Sequence, residues 1–163
     1  MVGTFTAIPA EMLEKFRSDQ DSIGEALFPD DGAHEPKHHV DVDKAWHGIH
    51  YLLTGAAWDG PEPLAWAVLG GEELGPDLGY GPARFLTPSQ VQEVSTALSG
   101  ISREWLVSRF NPADMEQQQI YPEIIWVRDG SEALDYLLEY FQVLRDFYNG
   151  ASARGDAVVQ CLA

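Results

Sequence analysis

The sequence predicts a single α+β domain over residues 1–163, a small mixed sheet of N-terminal, central and C-terminal strands packed by several helices. Three observations lead there. The chain has 163 residues, 45% of them hydrophobic, which suits one core and is short for two. Its strand-like segments are few and stand among helical ones without the regular alternation of a parallel α/β sheet. Its longest periodic segment, near 131–151, spaces Leu134, Leu137, Leu138, Phe141, Leu144 and Tyr148 for one buried helical face.

In chain order, Val2 to Ile8 alternates as a short strand. Pro9 suits a helical first turn, and Met12, Leu13 and Phe16 recur at helical spacing behind it. A second short helix is expected over Ser22 to Phe28, ending at Pro29–Gly32, and Gly32 to Val40 reads as a polar loop. Asp43 is placed to cap a helix from Lys44 to Leu53, stopped by Thr54-Gly55. Trp58 to Pro63 reads as a turn, and the apolar run Leu64 to Leu69 as a central strand. Gly70 to Pro82 carries five glycines and reads as a long loop, followed by a short strand over Ala83 to Leu86. Thr87-Pro-Ser-Gln90 has the form of a capping box and launches a helix through Leu98. Ser102 caps the next helix, and Pro112 to Gln118 adds a turn or two. Tyr121 to Val127 reads as extended or irregular, and Asp156 to Leu162 as the closing strand.

Charge narrows the function. Twenty-six acidic side chains face ten Lys and Arg, a formal net charge of −16. Such a field repels nucleic acid, whose binding rests on cations neutralising phosphates, and disfavours an anionic membrane surface. No signal-peptide pattern and no membrane-length apolar run stands in the sequence, so a cytoplasmic protein is expected. The lone Cys161 sits in an apolar tail and reads as a small core residue.

Three segments carry a family likeness: Asp43-Lys-Ala-Trp-His-Gly-Ile-His-Tyr-Leu-Leu-Thr-Gly55, Gly79-Tyr-Gly-Pro-Ala-Arg84 and Tyr121-Pro-Glu123. In order and flanking pattern they resemble the YfbM-like family of small bacterial proteins, a domain of unknown function. The resemblance spans nearly the whole chain. It implies one α+β domain without a known activity, cofactor or partner, so it supplies no catalytic residue.

The candidate binding residues come from the side chains themselves. His47 and His50 are three apart on one expected helix, and Asp43, one turn before His47, is placed to pair with it and raise its pKa. Two glycines and a proline fix the path of residues 79–84, giving Tyr80 and Arg84 defined positions; Arg84 is the only cation between Lys44 and Arg103. Glu123, after Tyr121-Pro122, is its candidate partner or a candidate base. His34, His38, His39, Asp41 and Asp43 offer metal-type ligands, but their spacing matches no ligand signature, and a solvated loop is the plainer reading. No dinucleotide, phosphate-loop, zinc-protease or nucleophile-elbow motif occurs, so no cofactor and no catalytic metal is expected. The first functional expectation is a non-enzymatic module for a basic protein partner. The alternative is a small-molecule site or enzyme with His50, Tyr80, Arg84, Tyr121 and Glu123 converging in one cleft.

Overall fold

Residues 1–28 and 37–163 are described by a computed structural model of the chain. The N-terminal alternation forms β1 (Gly3–Ile8), which is buried along its whole length. Both of its faces are covered, and alternate residues enter different cores: Phe5 and Ala7 join one, Ile8 the other. Next come α1 (Ala10–Ser18), a 3-10 turn (Gln20–Ser22) and α2 (Ile23–Leu27). Their Leu13, Phe16, Ile23 and Leu27 pack with Phe85 and Val159 as the smaller core. The larger core is built by α3 (Ala45–Thr54), α5 (Pro88–Ser99) and α9 (Ser131–Arg154) on the opposite face.

The remaining elements are β2 (His39–Asp41), α4 (Trp66–Leu69), β3 (Glu72–Asp77), β4 (Pro82–Leu86), α6 (Arg103–Arg109), α7 (Pro112–Gln117), α8 (Ile125–Asp129) and β5 (Ala157–Leu162). The strand order is β2-β1-β5-β4-β3, and every pairing is antiparallel. The sheet is therefore not mixed as expected. A tight turn forces β3 and β4 antiparallel, and α9 returns the chain so that β5 runs against both of its neighbours.

Four segments depart from their sequence reading. The apolar run 64–69 is a turn leading into α4, not a central strand. A short apolar run is equally compatible with a buried helix segment. Here the carbonyls of Trp66 and Ala67 accept bonds from the side chains of Gln160 and Tyr148, so no neighbouring strand is needed. The glycine-rich stretch after it contains β3, an edge strand in which Pro76 is tolerated because one side of the backbone needs no partner. Tyr121–Val127 is a turn followed by α8 rather than an extended segment. His39–Val40 leaves the expected loop and pairs with β1 as a second edge.

Other expectations hold. Thr87 and Gln90 form a reciprocal capping box, and Ser102 caps α6 by accepting from Trp105 N–H. Gly48 sits where a Cβ would come within 2.6 Å of Leu137 and 2.7 Å of Trp126, so its lack of a side chain lets α3 approach α8 and α9. Cys161 is buried and free, and burial pushes its thiol up to about 12. Among the described residues no helix is long and apolar enough to cross a membrane.

Candidate functional site

The first turns of α3 place Trp46, His47 and His50 at the edge of the larger core, all buried. His47 uses both ring nitrogens. Nδ1 accepts from Tyr121 N–H at 2.9 Å, which leaves the proton on Nε2 to donate to Ala57 O at 2.7 Å. A protonated ring would turn a second N–H toward that of Tyr121, and burial lowers the pKa as well. His50 donates from Nε2 to Asp59 O at 3.2 Å, and burial pushes it down to about 4. Its Nδ1 has no partner among the described residues.

The two imidazoles thus hold the carbonyls on either side of Trp58. The Trp58 ring stacks obliquely at 4.6 Å from that of His47 and lies 6.2 Å from Trp46, yet it is 61% exposed. The Tyr121 ring also packs on Trp46, at 6.0 Å, with its hydroxyl accepting from the amino terminus. From that turn α8 sends Trp126 inward, where Nε1 donates to Ile120 O, while Ile124, just before the helix, and Val127 within it are 69% and 51% exposed. Asp59 and Glu62 on the Trp58 turn and Glu123 beside Ile124 are exposed as well.

Two expected pairings fail. Asp43 does not bond His47; its carboxylate accepts from Tyr136 O–H at 2.9 Å because its backbone turns at φ 49°, before the helix begins. His47 is accordingly lowered, not raised. Arg84 does not reach Glu123. Nε donates to Gly70 O, Nη2 to Gly71 O and Nη1 to Glu73 at 3.3 Å, because β3 lies beside β4 and brings those groups across the hairpin.

The proposed cleft is therefore divided. His47, His50 and Tyr121 cluster at α3, with Glu123 on the rim turn, whereas Tyr80 and Arg84 line a separate recess that none of those residues enters. Sequence reasoning passed over Trp58, whose only signal was a large aromatic in a Gly- and Pro-rich turn. It also missed Gln160, hidden in an apolar strand. Of the histidine-rich loop, His34 lies outside the described residues. His39 Nδ1 bonds Thr6 Oγ1, and Asp41 accepts from the backbone N–H of Asp43. Among the described residues no group of three or more His, Cys, Asp or Glu could hold a metal ion.

The fold has a solved counterpart. The chain resembles the crystal structure of YfbM from Escherichia coli, a protein of unknown function, with a TM-score of 0.75, 23% identity and 98% of each chain covered. No curated protein matches. A family model described as Domain of unknown function (DUF1877) matches residues 1–161, and with it the chain belongs to that YfbM-like family.

Proposed function

We propose that this protein is a non-enzymatic interaction module that binds a basic protein partner through the surface around Trp58. The observation that carries the reading is the display of Trp58: an exposed indole seated on His47, with its flanking carbonyls held by His47 and His50. An aromatic fixed before binding loses little freedom on docking, and such residues dominate interface energetics. Asp59, next to Trp58 in the chain, and Glu62, four residues on, are both exposed and give that turn a negative charge. With a net charge of −16 behind them, the favoured occupant is a cationic surface with an apolar centre. The histidines then serve by holding the loop; both are buried and engaged, which leaves them poorly placed for acid–base chemistry. A cytoplasmic place of action belongs to the same proposal, and nucleic acid is an unfavourable partner on charge grounds.

The test is affinity capture from the source cells with the wild type and Trp58→Ala, followed by titration of the purified captured protein. The expected partner is basic, binds at least about tenfold more weakly to Trp58→Ala, and is released by salt. A partner that binds both proteins equally, or is indifferent to salt, overturns the reading.

A further inference from the structure

The recess beside Arg84 shares no residue with the Trp58 surface and has chemistry of its own. Its volume is about 150 Å³, and its walls include Val68, Leu69, Tyr80, Arg84, Gln160 and Leu162. Arg84 and Gln160 are directly opposite in the β4–β5 register, so their side chains leave the sheet on the same face. Gln160 is 3% exposed. Its Nε2 donates to Trp66 O at 2.6 Å and to Tyr148 Oη at 2.9 Å, while the Tyr148 hydroxyl donates onward to Ala67 O. Two acceptors on one end fix the amide's orientation. Its Oε1 is turned away from them and has no partner among the described residues. A buried acceptor in that condition calls for a donor.

Arg84 supplies the complementary group. Three of its five N–H groups are engaged by Gly70, Gly71 and Glu73, which leaves two. Tyr80, 58% exposed, stands over the recess on a turn pinned by Asp77, whose Oδ1 accepts from Gly79 and Gly81 N–H. Glu72, Glu73 and Asp77 make the surroundings anionic, so a bare anion is repelled, while a bare cation has nothing to offer Arg84.

We propose that this recess binds a small ligand of zero net charge carrying an acceptor oxygen for Arg84 and an N–H donor for Gln160, the chemistry of a primary amide or an amino acid. The volume equals roughly five liquid waters, which limits the ligand to a handful of heavy atoms. The test uses nuclear magnetic resonance of the wild-type protein titrated with acetamide and L-alanine, against acetone (acceptor without donor) and acetate (anion without donor). Acetamide, L-alanine or both are expected to saturate at millimolar concentration, shifting the Gln160 side-chain amide and the Arg84 Nε–H. The two controls are expected to bind at least about tenfold more weakly. Filling the recess with Leu69→Trp is expected to abolish the shifts. The proposal is overturned if neither ligand saturates, if acetone or acetate binds as well, or if Leu69→Trp, shown folded, leaves binding intact. The wild-type series decides alone if that variant does not fold.

Discussion

At the scale of single residues, His50 has the sharpest consequence. Its pKa falls to about 4 on folding from an ordinary 6.5 because burial disfavours the charged ring. Between those values the unfolded chain binds more protons than the folded one, so stability is lost as pH falls through that window and is level above it. At pH 4.5 the loss from this residue is about 2–3 kcal/mol, and His47 adds to it in the same direction. Denaturant unfolding at pH 7.5 and 4.5 checks this. His50→Gln keeps a donor for Asp59 O without titrating, so it is expected to lose less stability on acidification than the wild type. Parallel losses would show that the ring is not responsible. The residues themselves were legible as a pair on one helix; their partners were not. Spacing reveals which side chains share a face, but the carbonyls of Ala57 and Asp59 and the N–H of Tyr121 reach them only through tertiary packing.

Individual elements were read well where the signal was local. The capping box of α5 could be seen in four letters, and it forms with Thr87 N–H donating to Gln90 Oε1 at 2.9 Å. Thr87→Ala is expected to destabilise the protein by about 1 kcal/mol, read as a lower urea midpoint with an unchanged slope. A change near zero would mean that α5 is held by packing alone. Elements whose form depends on a distant neighbour were misread. Residues 64–69 look like a strand until Gln160 and Tyr148, from the far end of the chain, claim their carbonyls. Residues 72–77 look like a loop because an edge strand needs little hydrophobicity and tolerates Pro76. The recess of Arg84 and Gln160 was half visible: Arg84 stood out by its charge, whereas Gln160 is joined to it only by strand register.

The molecule as a whole carries its charge as a standing strain. Twenty-six acids against ten Lys and Arg repel one another more in the compact state than in the extended chain. The thermal midpoint at neutral pH is therefore expected to rise as sodium chloride is increased from about 10 to about 150 mM, since screening reaches the exposed charges first. A midpoint that falls or stays level would mean that local ion pairs outweigh the repulsion. Fold class followed from composition and periodicity, which are global properties of the sequence; the division of the core into a larger and a smaller part on the two faces of the sheet did not. Strand order did not, because it joins the two ends of the chain. That order also has a bearing on how the protein is made. β5 is the middle strand, and it alone connects the β2-β1 pair to the β4-β3 hairpin. On the ribosome these residues emerge after every other element described, so the β2-β1 pair and the β4-β3 hairpin have no strand to join them until residues 157–162 arrive and close the seam.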